Sequence, residues 1–483
     1  MSRRSARLFG LFVLVASVGC SGDAPQSPDG SAKPRGGVPV SVQLPDEPVK
    51  PGAETRVAVP AASTDWPRFL GLAGDGSSAE TGILTPWPKA GLKKLWDCSL
   101  GSGYAPPSVA AGKLYHFDRV GDDARLTCRN ALTGELVWIY KTPTEYRDSY
   151  GYDPGPRACP VIDGDRVYTH GADGMLTCVA AATGKEVWRL DTRAKYHFHQ
   201  NFFGVGSAPV VFGDLLIVAV GGSPQGAKPA DLRQVKGNNT AVVAFDKLTG
   251  TEKWAISDEL ASYSTPIVAN LGGQPVGLYF ARGGLLGFDL KAGKELFVHK
   301  FRSKMLESVN AANPVVVGDT VLLSECYENG TTLVKYAGGK VTTVWSDATK
   351  ERDEHALSSH WCTPIHHDGY VYGCSGRNAN DSELRCVELA TGAVKWVERR
   401  TTRCTLLKVD GHLVSLGEQG ELRLIKLNPA KCDEVSRWEV PGLGYPSWAP
   451  PALSRGVLYL RGKSDANREA NVLMAFELIP PAK

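Results

Sequence analysis

Short apolar runs punctuated by turn residues recur along most of the chain, and they fall into two alternating lines. One line closes on a Thr-Gly or Ala-Gly pair and resumes in a run that ends on an aromatic residue. "CRNALTGELVW" ends at Trp138, "CVAAATGKEVW" at Trp188, "AFDKLTGTEKW" at Trp254, "GFDLKAGKELF" at Phe297 and "CVELATGAVKW" at Trp396. Looser copies end at Trp345 and Trp438, and "LKKLW" supplies only the second half, ending at Trp96. Glycine between two apolar runs provides the positive φ of a tight turn, so each copy predicts strand, turn, strand. The other line precedes it: a proline, a β-branched run, a Gly-Asp or Asp-Gly turn and a second apolar run, as in "PVIDGDRVYTHG" from Pro160 and "PVVVGDTVLLS" from Pro314. Together the two lines make a unit of four short strands.

The terminal aromatics at 96, 138, 188, 254, 297, 345, 396 and 438 follow one another at intervals of 42 to 66 residues, the scale of one propeller blade. They predict an all-β fold, an eight-bladed β-propeller with four-stranded antiparallel blades. The last unit, "PALSRGVLYLRG" followed by "NVLMAFELIPPAK", has three strands and no aromatic, whereas Trp96 comes without the strands before it. Pairing the segment around Leu95 with the C-terminal strands completes the eighth blade. A ring closed by an N-terminal strand is therefore expected, which removes the free sheet edges that an open array would leave.

The N-terminus follows a different pattern. Arg3, Arg4 and Arg7 precede "LFGLFVLVASVG", a run too short to span a membrane as a mature helix and readable as a secretory signal over residues 1–20. "SVGC" resembles the bacterial lipobox, with Ser17 where that pattern has Leu; the resemblance implies lipidation at Cys20 and a membrane anchor, simple cleavage nearby being the alternative. Residues 21–63, rich in Pro, Gly, Ser and Ala, predict a flexible linker, which leaves 64–483 for the propeller. The chain has 483 residues, 42% hydrophobic, enough for one toroid of eight sheets. A net charge of +3 without a basic stripe offers no footing for nucleic acid. A monomer is expected.

Besides Cys20 there are ten cysteines, and Cys128, Cys178 and Cys386 share one repeat position with Ala244 and Gly287. That position calls for a small buried side chain, which a free thiol satisfies. Cys374 with Cys386, in neighbouring strands, is the most plausible disulfide.

The line A-x-D-x-x-T-G-x-x-x-W, matched in full by Ala244, Asp246, Thr249, Gly250 and Trp254, resembles the tryptophan-docking repeat of the pyrroloquinoline quinone (PQQ) family of propellers. The opening "DWPRFLGLAGDGSSAETGILTPWP" from Asp65 is similar to that of secreted PQQ-like repeat proteins of bacteria such as planctomycetes. The resemblance covers about residues 65–478. It implies that Trp96, Trp138, Trp188, Trp254, Phe297, Trp345, Trp396 and Trp438 pack between adjacent blades. The family includes quinoprotein dehydrogenases and also scaffold lipoproteins without quinone, such as the outer-membrane assembly factor BamB. Its dehydrogenases carry a vicinal Cys-Cys ring, a Ca²⁺ site and an Asp base. This sequence has no Cys-Cys pair, no recognisable matching Asp, Glu and Asn set and no C-x-x-C-H haem motif.

The long insertions fall at 139–157, 189–206 and 346–361 between blades, and at 222–239, 375–382 and 462–471 within them. These two kinds of connection emerge on one face, where function is expected. "EYRDSYGYDPGPR" offers Tyr146, Tyr150, Tyr152 and Arg157; "KYHFHQNFF" offers His197, His199 and Asn201; "HALSSHWC" offers His355, His360 and Trp361. They suit a pocket of stacking rings with Arg157 gripping a carboxylate, or else loops packed down onto the mouth of the ring. His197 and His199 lie on one side of an expected strand but lack a third ligand, so no metal is expected. No catalytic residues can be named. The reading is an exported, membrane-tethered binding scaffold, in the periplasm or at the outer membrane, for a protein or extracellular ligand. No cofactor is expected; the alternative is a dehydrogenase of alcohols or sugars using PQQ with calcium.

Overall fold

Eight four-stranded antiparallel sheets stand around one axis in the computed structural model, which describes residues 65–199, 202–229, 233–399, 401–466 and 470–481. The signal segment, Cys20, the linker and Asn201 lie outside the described residues. Blades one to seven span 108–143, 161–191, 210–256, 267–300, 315–346, 365–398 and 404–439. Blade eight takes three strands from 452–477 and its outermost from Lys93–Leu100, which pairs antiparallel with Asn471–Glu477. Both the blade count and the closure by an N-terminal strand are as the sequence predicts. No described helix is long and apolar enough to cross a membrane.

One device joins the blades. In every blade the register between the third and fourth strands shifts just before the outer turn, for instance between Ala244 and Phe245 and between Cys128 and Arg129. Such a bulge bends the outer strand and turns its aromatic out of the sheet. In most blades the aromatic then lies on a glycine at the turn of the next blade, Phe297 and Trp396 being the exceptions. A Cβ on Gly134 would stand 2.7 Å from the Trp96 ring, one on Gly184 2.5 Å from Trp138, one on Gly250 2.8 Å from Trp188 and one on Gly293 2.2 Å from Trp254. The same glycines hold φ of +59° to +75°, so the Thr-Gly pair serves both the turn and the docking ring.

Four of these indoles also donate a hydrogen bond to the carbonyl three residues before that glycine. Trp96 Nε1 reaches the Ala131 carbonyl at 3.0 Å, Trp138 that of Ala181 at 3.0 Å, Trp188 that of Lys247 at 3.2 Å and Trp345 that of Leu389 at 2.8 Å. Where the second strand carries tyrosine, its hydroxyl can bond the same carbonyl, as Tyr459 does at Ala131 and Tyr168 at Lys247. Directly across the ladder from the docking aromatics lie Cys128, Cys178, Ala244, Gly287 and Cys386. The shared cysteine position is thus the gap between two large rings. Cys128, Cys178 and Cys386 are all buried, free thiols.

The expected Cys374–Cys386 disulfide is not present. In register Cys374 faces Leu384 and Cys386 faces Tyr372, so the two thiols sit two rungs apart. The Cys374 sulfur instead accepts a hydrogen bond from the Cys404 amide of blade seven at 3.3 Å.

Residues 65–92 form a strap that the repeat pattern did not announce. Trp66 exchanges backbone bonds with Val109 at 2.8 Å, and the Pro67 carbonyl accepts from Ile162; Gly76 and Ser78 bond Lys408 on the inner strand of blade seven. Between them Arg68, Phe69, Ala73 and Gly74 face Pro209 and Val210 of blade three and Thr265 and Ile267 of blade four. Inner strands, whose outward pairing edge faces the axis, are covered by this segment. It lies on the side of the first-to-second strand turns, with Asp65 accepting from the Ala111 amide and Asp410 accepting from Gly82. Gly91 then takes the place of blade eight's turn glycine: a Cβ there would stand 2.0 Å from Trp438.

Candidate functional site on the loop-covered face

The opposite side carries the connections between blades and those from second to third strands. A proline before the inner strand of every blade but the seventh fixes the chain's approach. Three residues before it come Tyr104, Arg157, Gly206, Tyr263, Ala311, Trp361 and Trp448. Five of these seven side chains are aromatic or guanidinium, and they meet. Gly206 leaves room for its neighbour, since a Cβ there would stand 2.6 Å from the Tyr263 ring.

The rings form two arcs of an open circuit. Tyr104 packs on Trp448 at 5.1 Å, Trp448 on Trp361 at 5.2 Å, Trp361 on His360 at 4.7 Å and His360 on Tyr327 at 5.9 Å between centroids. On the other side Phe203 packs on Tyr263 at 5.7 Å, with Tyr150 and Tyr152 also 5.7 Å from Phe203. Arginines stitch the arcs together. Arg157 lies over Tyr104, Tyr146 and Phe203 at 5.7–6.0 Å, Arg403 over Trp361 and Trp448 at 4.8 and 5.6 Å, and Arg377 over Tyr327 at 4.7 Å. Each such contact contributes about 0.5–2 kcal/mol, more where water is excluded.

A buried carboxylate orders the tryptophan arc. Glu418 is fully buried and accepts from Arg403 Nη2 at 2.7 Å and from Trp448 Nε1 at 2.9 Å. Burial, with Arg403 and Arg377 nearby, pushes His360 down to about 3, so its imidazole is neutral at physiological pH. Arg461, 1% exposed, donates to Asn471 at 3.1 Å and lies 5.5 Å from the Tyr104 ring.

Tyr146, Arg157, His360 and Trp361 thus join one cluster, with Tyr152 at its exposed rim. Arg157 is already engaged: Nη2 donates to Asp148 at 2.5 Å and to the Asp153 carbonyl at 3.0 Å, and Nη1 to Gly155 at 2.8 Å. The carboxylate it grips is that of its own loop. His197 and His199 stand apart from the circuit. The segment is the end of a short helix, Thr192–Tyr196, not a strand; His197 is its left-handed cap at φ +54°, and His199 borders a small cavity with Phe198 and Arg282. His355 is buried, with Nδ1 3.4 Å from the Ser358 hydroxyl. Tyr104, Tyr327, Arg403, Glu418 and Trp448 were not singled out from the sequence. The position three before the inner-strand proline would have marked Tyr104 and Trp448, in "YAPP" and "WAPP".

The circuit is a packed surface with exposed Tyr150, Tyr152 and Tyr445 around it. Clefts of about 490, 440 and 500 Å³ open beside it, the first two around Glu259 and Arg302 and the third around Arg352 and Asp381. For a flat anionic cofactor such as PQQ, Trp361 and Trp448 offer rings, but the charge of Arg403 beside them is already met by Glu418. For calcium, no group of three or more His, Cys, Asp or Glu side chains among the described residues converges on one point.

Comparison with known proteins agrees with this architecture. The family profile described as outer membrane protein assembly factor BamB matches residues 87–229 and 122–398. Among solved structures, BamB from Moraxella catarrhalis superposes with a TM-score of 0.54 at 16% identity, over 80% of this chain and 97% of that one. The computationally designed Ika8 protein gives 0.50 at 12%, over 83% and 99%. Quinohemoprotein alcohol dehydrogenase from Comamonas testosteroni gives 0.49 at 16%, over 87% and 81%. No curated protein matches.

Proposed function

The chain belongs to the PQQ-like propeller family described as outer membrane protein assembly factor BamB, and from that premise we propose that it is a binding scaffold for a protein partner or extracellular ligand. The observation that carries this reading is the circuit on the loop-covered face, to which connections from around the ring contribute rings or guanidiniums. Tyrosine, tryptophan and arginine are the residues enriched where proteins bind one another, the rings because they bury large area and arginine because it pairs and stacks. A packed surface with an aromatic rim suits a macromolecule better than a deep pocket would. The matched family, described as an outer membrane assembly factor, supports a protein partner.

Site-specific photo-crosslinkers at positions 150, 152 and 445, in cells, test this. Adducts with one defined protein from these three positions, and none from Leu248 on the far side, are expected. Adducts from neither side, together with saturable Ca²⁺-dependent PQQ binding by the purified protein, would instead make it a quinoprotein dehydrogenase. That second reading is favoured by one observation, the adjoining Trp361 and Trp448 rings, on which a flat cofactor could stack.

Export and membrane tethering are part of the proposal and rest on the N-terminal pattern. Cys20→Ser should abolish labelling by a fatty acid and move the protein from the membrane to the soluble fraction. Unchanged fractionation would remove the anchor from the picture.

A further inference from the structure

Beside the aromatic circuit, two arginines stand close together with few acceptors. Arg282, in the connection between the second and third strands of blade four, is 4% exposed. Its Nη2 donates to the Leu306 carbonyl at 3.3 Å, and its Nε is buried without a partner. Arg302, on the connection to blade five, directs its own Nη2 to the same carbonyl at 3.5 Å. One neutral oxygen thus serves two cations. Among the described residues neither guanidinium has an ion-pair partner, and burial together with the neighbouring Arg302 pushes Arg282 down to about 10. Glu259, whose charge acts on Arg302 without forming an ion pair, accepts from the Gly283 amide at 2.9 Å, and burial raises its pKa.

Uncompensated buried charge is costly, and like charges side by side add to that cost. An anion received between two guanidinium forks removes both penalties and gains short, charge-assisted hydrogen bonds. Access exists: Arg282 and Arg302 line the cleft of about 440 Å³ together with Lys236, Asp258 and Glu259, and Arg302 also faces the adjoining cleft of about 490 Å³ with Lys300.

We propose that Arg282 and Arg302 form an oxyanion site that receives one carboxylate, phosphate or sulfate group from these clefts. The site stands independently of what the aromatic circuit binds. The test is calorimetric titration of the full-length protein with inorganic phosphate, inorganic sulfate and acetate, each against chloride at matched ionic strength. One saturable site per chain is expected. Arg302→Gln, which removes the less buried fork, should weaken it about tenfold or more, and Glu259→Gln, which removes the nearby carboxylate, should tighten it. Binding of phosphate and sulfate but not acetate assigns a tetrahedral ester group, and the reverse assigns a carboxylate. Binding no stronger than chloride's, or unaffected by either substitution, overturns the proposal. Should Arg302→Gln fail to fold, the direction of the Glu259→Gln effect still decides it.

Discussion

Trp188 and Trp254 occupy the same repeat position and differ by one hydrogen bond. Trp188 Nε1 donates to the Lys247 carbonyl, whereas Trp254 Nε1 is buried without a partner. Both rings cover a turn glycine of the next blade, so both bury comparable apolar area. Replacing each by phenylalanine should therefore cost more at 188 than at 254, by about 1 kcal/mol, the net value of one such bond. Urea unfolding of the two variants measures the difference; equal losses would mean that the bond contributes nothing beyond ring packing. Phe297 shows that the position accepts a ring with no donor: it packs on Tyr336 at 5.7 Å and folds over Gly287.

At the scale of the element, the outer hairpin was the most legible part of the chain. Asp246 accepts from the Leu248 and Thr249 amides, Asn130 from Leu132 and Thr133, and Asp289 from Lys291 and Ala292. These side-chain turns are local chemistry, written in a few adjacent residues, and they repeat because every blade needs the same corner. The bulge that aims the aromatic and the small residue opposite it lie within one short line, and the glycine that receives the ring holds the same place in the next copy. The loop-covered face was legible only in part. Its location followed from where the long insertions fall, but its contacts join Tyr104 to Trp448 and Trp361 to Arg403, residues far apart in sequence and outside any local pattern. Arg157 looked available for a ligand because Asp148, nine residues before it, could not be recognised as its partner from composition alone. The strap of 65–92 was illegible for a similar reason: its bonds run to inner strands of several blades, and it repeats nothing.

For the whole molecule, closure makes one strand disproportionately important. A chain beginning at Gly101 lacks the outer strand of blade eight, the strap and the ring of Trp96 that docks on Gly134. It should unfold at lower denaturant and in a broader transition than a chain beginning at Asp65, because two flanking blades lose their shared interface. Coincident transitions would show that the ring holds without closure. The pairing of Lys93 with Glu477 also orders events in time. Blades one to seven can assemble as the chain emerges, but Lys93–Leu100 finds its partner only after Asn471–Glu477 has been made, and so long a loop closes late and slowly. Until then the first and last blades are open edges, vulnerable to proteases and to pairing with other chains. The protein's hazard is thus concentrated in the interval before Lys93–Leu100 and Asn471–Glu477 meet.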